Sequence, residues 1–165
     1  MIVVSNSSPL ITLGRIGHLP LLRDLFGRIH LAGEVFHEVT ILGAGRPGAE
    51  AVRAADWIEV HPPASPPALA AARQEHSLGA GEVGTVLLAR AIAADLAIVD
   101  ERIARRFAHD QGLKVMGCVG ILEISYRRGL VKDLRSIYAQ LLAQGIHIDR
   151  NLLNQSLASL KLPPL

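Results

Sequence analysis

Short apolar runs separated by helix-length segments constrain this chain more than any other feature. Ile2-Val3-Val4 is β-branched throughout and reads as a buried strand, and similar runs recur at 28–31, 57–60, 96–99 and 113–116. The intervals are too long for hairpins. Strands spaced this way pair in parallel, because a parallel return needs a crossover of a dozen or more residues. The helices between them are marked by their ends. Ser8-Pro9 reads as an N-cap with proline at the first helical position, opening a helix that reaches Gly14. Further helices are expected at about 19–26, 34–39, 49–55, 80–94 and 102–111, then at 119–128, 134–143 and 150–160, with Gly112, Gly129 and Gly145 as stop signals. Residues 43–48 read as a loop. Residues 61–67 read as a rigid extended connector, since its prolines lack donors. The expected fold class is α/β, a three-layer α/β/α arrangement around a mainly parallel central sheet, in one domain over residues 1–165.

Half of the 165 residues are hydrophobic and the mean hydropathy is +0.31, so some apolar surface is expected to lie in a partner interface, most simply with a second copy of the chain. No stretch reaches the roughly 18–20 apolar residues that span a bilayer, which argues against a membrane role. The first ten residues lack a basic region and their apolar run breaks at Ser5–Pro9, unlike a secretory signal. A single cysteine, Cys118, rules out an internal disulfide and argues against a zinc–cysteine cluster. A cytoplasmic location is the default expectation. Seventeen basic residues against fifteen acidic ones announce no nucleic-acid binder, yet Arg102, Arg105 and Arg106 cluster, as do Arg127, Arg128 and Lys132. Such clusters suit a phosphate backbone and equally suit a solvated helix face.

Open parallel sheets bind ligands beyond the carboxyl ends of their strands. That rule singles out Asn6, which follows the first strand, and Asp100 with Glu101, which follow the run at 96–99. Asp100 would serve equally as a helix N-cap. Glu82 falls in the first turn of its helix, where the macrodipole favours an acid in any case. Glu34 and Glu38 are one helical turn apart. Carboxylates such as Glu38, Glu82 and Asp100, gathered at one end of a sheet, would repel unless they held a cation, and hard oxygen donors select Mg²⁺ or Mn²⁺. A metal of that kind activates water and stabilises charge on a phosphodiester under attack. Other chemistries fit poorly. Residues 79–84 spell G-x-G-x-x-G, but they follow a polar stretch instead of a strand. Ser7, Ser8 and the histidines form no nucleophile signature, and Cys118 reads as a small core residue.

The segments Val3-Val4-Ser5-Asn6-Ser7-Ser8-Pro9-Leu10-Ile11, Leu31 to Glu38, Leu78 to Glu82 and Ala97 to Glu101, taken in order, resemble the PIN domain. More narrowly they are similar to a PIN-like subfamily long labelled a domain of unknown function, whose later half is matched by residues 112–122 and 127–130. The resemblance implies a small nuclease fold of the FEN type. Many such proteins are VapC-like toxins that cut RNA with Mg²⁺ or Mn²⁺, dimerise, and are silenced by a cognate antitoxin. Position by position, the resemblance puts the family's four acids at Asn6, Glu38, Glu82 and Asp100, with Glu101 adding charge. It assigns catalysis to Glu38, Glu82 and Asp100 and metal binding to those residues with Asn6 and Glu101. Ser8 matches the small hydroxyl that supports the first acid, and with Arg102, Arg105 and Arg106 it is expected to face the RNA. Asn6 departs from the pattern: its amide offers a carbonyl oxygen but no charge. The expected function is a metal-dependent ribonuclease, the toxin of a VapBC-like pair. The alternative is a PIN-like module that binds RNA or protein without cutting.

Overall fold

A computed structural model describes residues 1–165. Five strands, β1 (Val3–Ser5), β2 (Ile29–Ala32), β3 (Ile58–His61), β4 (Leu96–Ile98) and β5 (Val115–Met116), form one sheet in the order β3-β2-β1-β4-β5. Every neighbouring pair is parallel. Ten α-helices surround the sheet: α1 (Ser7–Arg15), α2 (Leu21–Phe26), α3 (Gly33–His37), α4 (Ala49–Ala54), α5 (Pro66–His76), α6 (Ala80–Ala91), α7 (Arg102–Asp110), α8 (Cys118–Arg127), α9 (Leu134–Ala143) and α10 (Arg150–Ser159). The result is the three-layer α/β/α arrangement around a parallel sheet.

Strand alternation builds two cores. Val3, Leu96 and Ile98 point into one, with Leu10 and Leu13 of α1 and Ile121 and Leu122 of α8. Val4, Ala97 and Val99 point into the other, with Val83 and Val86 of α6 and Ala104 and Phe107 of α7. Side chains of period two on strands buried on both faces therefore read as unbroken apolar runs.

The structure corrects the sequence reading in several places. The first helix begins at Ser7, with Asn6 at the N-cap, and not at Ser8-Pro9. The cause lies in the sheet: the Asn6 N–H donates to Ile98 O at 2.9 Å, so the β1 ladder ends there and the helix follows at once. Pro9 still falls in the first turn, where a helix needs no donor. The expected connector at 61–67 is extended only to Ser65. Pro66-Pro67 then open α5, a helix with no buried residue. The prolines at its start disguise it, and only the partly buried Leu69 and Ala72 pack it on the second core. The helix of 34–39 runs on as a π-helical turn at Glu38–Leu42. The loop at 43–48 is present, and it packs hard on α1: a Cβ at Gly14 would lie 2.7 Å from Gly48 Cα.

Candidate metal and nucleic-acid site

The chain runs from β1 outward to β2 and β3, then returns to the other side of β1 with β4 and β5. The reversal of direction opens a crevice between the carboxyl ends of β1 and β4, the topological switch point where such sheets bind ligands. Asn6 leaves β1 on one side of it, and Asp100 follows β4 on the other.

Asn6 is 2% exposed. Its Nδ2 donates to Glu101 Oε2 at 3.4 Å, while its Oδ1 is buried without a partner. A buried carbonyl oxygen left unpaired is costly, about 1–3 kcal/mol, so its orientation calls for an acceptor's partner such as a cation or its water. Ser7, next in sequence, donates its hydroxyl proton to Glu38 Oε2. Glu38 Oε1 accepts from the Gly81 N–H at 3.3 Å. That contact exists because residue 81 is glycine: a Cβ there would lie 2.7 Å from both Glu38 oxygens. Glu34 repeats the device one turn earlier. Its Oε1 accepts from Ala64 N–H at 2.7 Å, its Oε2 is buried and unpartnered, and a Cβ on Gly84 would come within 2.6 Å of that oxygen. Glu82 turns back on its own helix, where its Oε2 accepts from the Gly79 N–H at 2.8 Å.

Asp100 is largely buried, and its Oδ1 accepts from the Cys118 N–H at 2.7 Å. Burial pushes its pKa above the ordinary aspartate value. The Cys118 hydrogen bonds oppose the shift, the Glu101 charge adds to it, and Arg105 opposes it again. The Cys118 thiol is buried beside it, and desolvation raises its pKa well above the usual value, which keeps it a neutral core group. Two clefts meet at Asp100. One of about 760 Å³ is lined by Ser8, Thr12, Arg15, Asp100, Glu101 and Arg102 with the segment 145–149. The other, about 510 Å³, includes Asp100, Arg105, Gly117 and Glu123.

The sequence-derived residues thus gather at one end of the sheet, in two groups joined by the Asn6-Ser7 peptide. Asn6, Glu101, Asp100 and Ser8 occupy the crevice, while Glu38 and Glu82 lie toward the start of α6. No three of these carboxylates bring donor atoms within 4.8 Å of one another. Glu38, Glu82 and Asp100 are instead each held by a backbone N–H, Glu38 also by the Ser7 hydroxyl, and Glu101 by the Asn6 amide. Arg102 and Arg106 are exposed, whereas Arg105 is half-buried and spends Nη1 on Val99 O at 3.0 Å. Arg106 also lines a basic cleft with His109 and Lys114. Sequence reasoning missed Ser7 and left Glu34 without a role. The available signal was the pairing of Glu34 and Glu38, four apart, with Gly84 and Gly81, three apart.

The donors offered here, an amide carbonyl and carboxylates, are hard oxygens, and the orphaned Asn6 Oδ1 leaves one of them free. The set fits Mg²⁺ or Mn²⁺. One consequence is testable without any substrate. A buried carboxyl whose pKa is raised destabilises the fold once ionised. The penalty is absent below the unfolded-state pKa and complete above the raised folded-state value. Asp100→Asn, which keeps an oxygen for the Cys118 N–H, is therefore expected to melt at a higher temperature than the parent at pH 7 in chelator, with the gain disappearing as the pH falls through the Asp100 pKa.

Comparison with known proteins agrees with this geometry. No curated protein matches the chain. A family profile described as a PIN domain matches residues 2–162, from the residue before β1 to beyond α10. The match takes in every strand, both cores and the crevice with Asn6 and Asp100, and the chain belongs to the PIN domain family.

Proposed function

We propose that this PIN domain, one unit over residues 1–165, is a metal-dependent endoribonuclease, the toxin of a VapBC-like toxin–antitoxin pair. The observation that carries the reading is the buried, unpartnered Asn6 Oδ1 at the switch point of the sheet, across the crevice from Asp100. Mg²⁺ or Mn²⁺ would be held by Asn6, Asp100 and Glu101, with Glu38 and Glu82 completing the acidic rim. Bound there, the ion would lower the pKa of water and offset charge on the phosphodiester. The chain's own residues supply the rest. Asp100, fixed at Oδ1 by the Cys118 N–H, lines both clefts. Glu38 is oriented by Ser7 and Gly81 and can take the proton of an attacking water. Arg102, Arg106 and Ser8 border the clefts and would hold the RNA backbone, with phosphate contacts setting position and not sequence. Exposed Ile11, Ile41 and Leu42, beside Glu38, supply an apolar face for a homodimer or for an antitoxin.

The test is cleavage of a fluorogenic single-stranded RNA with Mn²⁺. The parent is expected to cut, and Asp100→Asn to cut roughly 100-fold more slowly or less. Asn6→Asp is the discriminating change. It puts a second carboxylate beside Glu101 Oε2, so without metal it is expected to melt lower than the parent, and Mn²⁺ is expected to restore it. Equal or faster cutting by the variant supports the enzyme. An inert parent that binds RNA, with activity appearing only in Asn6→Asp, would establish instead a binding module whose catalysis is lost at that residue. An RNA that neither protein cuts nor binds would overturn both.

A further inference from the structure

Away from the crevice, strands β2 and β3 bring together the one group of histidine and acidic side chains whose donor atoms all fall within 4.8 Å: His30, Glu59 and His61. Register explains the convergence. His30 pairs with Glu59, and Ala32 with His61. Glu59 and His61 are two apart on β3 and so share a face, and His30 stands beside both on the neighbouring strand. His30 Nδ1 lies 2.9 Å from His61 Nε2. Glu59 places Oε2 3.9 Å from the first and Oε1 3.7 Å from the second. The imidazoles are mostly buried, at 16% and 22% side-chain exposure, although His61 stands on the edge strand β3, where a histidine could otherwise turn to water.

We propose that His30, Glu59 and His61 form a zinc site that clamps the edge strand β3 onto β2. Two imidazoles and one carboxylate are a recognised zinc donor set, with bonds of about 2.0–2.2 Å. Tetrahedral ligands at that length stand about 3.3–3.5 Å apart. The two ring nitrogens stand 2.9 Å apart, Glu59 Oε1 stands 3.7 Å from His61 Nε2, and one donor atom from each residue lies within 4.8 Å of the others, so side-chain rotation alone would bring the three onto one ion. The bond between the two rings needs a proton on one nitrogen. Moving that proton to the other nitrogen of its ring leaves two lone pairs facing one point. Arg28 is the competing cation: its Nη1 donates to Glu59 Oε2 at 3.0 Å. That pair is solvent-exposed and weak, and it leaves Oε1, the oxygen nearer His61, for the metal while orienting the carboxylate from outside. The trio bridges two neighbouring strands of the sheet, and none of the three lines the clefts at Asp100, which favours a structural clamp over a second reaction centre. The site shares no residue with the acidic crevice, so its fate is independent of the nuclease reading.

The test is zinc titration of the full chain against a chromophoric chelator, with X-ray absorption at the zinc edge. Asp100→Asn serves as the background, so that the crevice contributes least. One zinc per chain is expected, with two imidazoles in its shell and a higher melting temperature. His61→Gln is expected to weaken binding at least 100-fold and abolish the thermal shift. Glu59→Gln, at an exposed position, is expected to weaken it about tenfold and provides the comparison should the histidine variant fold poorly. Affinity unchanged within threefold in both variants, or a zinc shell containing only oxygen, would overturn the proposal.

Discussion

Alanine at Gly81 is expected to lower RNA cleavage by about 10- to 100-fold while leaving the melting temperature nearly unchanged. The added Cβ would fall 2.7 Å from both oxygens of Glu38, closer than any real contact, so the carboxylate must leave its place. It would lose its bonds to Ser7 and to the Gly81 N–H together. A displacement of about 1 Å in a catalytic group can cost about 100-fold. Stability responds differently. What yields is the end of a flexible side chain and not backbone, and alanine in place of a helical glycine contributes up to about 1 kcal/mol in the favourable direction. Rates from steady-state cleavage and melting curves on the same samples check the two halves. Shortening the acid in the double variant Gly81→Ala, Glu38→Asp is expected to recover part of the rate. Full activity in Gly81→Ala would remove Glu38 from the chemistry.

Valine at Gly14 should do the reverse, with a large loss of stability. Here every atom facing the missing Cβ is backbone: Gly48 Cα at 2.7 Å, Gly48 N at 3.4 Å and Pro47 O at 3.5 Å. No rotamer relieves that overlap. Gly48 is itself held at φ +93° to start α4, so the turn cannot retreat without losing its own conformation. Alanine would gain helix propensity and offset part of the clash, whereas valine gains little and adds two methyls. Overpacking of this kind costs about 2–3 kcal/mol, or roughly 4–12 °C in Tm for a chain of this size. Gly17→Ala is the control. Its φ is +72° but nothing lies within 4 Å of the added atom, so only backbone strain is felt, about 1 kcal/mol. Urea denaturation of the three proteins ranks the effects.

Strands β1 and β4 were legible because their side chains are apolar on both faces, as a covered parallel sheet requires, whereas β2 and β3 keep apolar residues at alternate positions and carry His30, Glu59 and His61 between them. Asn6 and Asp100 were legible for a related reason, since the end of a strand is marked in sequence and the switch-point rule supplies the rest. What could not be read is apposition between elements remote in sequence. Nothing near Glu38 says that it faces Gly81, and nothing near Gly84 says that Glu34 stands against it; both facts come from α3 packing on α6. The G-x-G-x-x-G string then has a plain meaning, with two of its glycines making room for the half-buried acids Glu38 and Glu34. Ser7 was overlooked because the helix starts two residues earlier than its proline implies. Helix α5 was overlooked because prolines start it and its contact with the core is limited to partly buried side chains such as Leu69 and Ala72.

The placement of β1 has a consequence for synthesis of the protein. It is the central strand, yet the chain begins with it, and its partner β4 comes some ninety residues later, with Val3 beside Leu96. Until β4 has been translated, β1 has one open edge, and a crevice between the two strands does not exist. Loop closure over that length is slow and must precede the contacts that reward it. Asp100 and Glu101 arrive last among the acids, directly behind β4. During synthesis the crevice therefore cannot assemble before β4 has emerged, and a product truncated ahead of β4 is expected to lack it altogether.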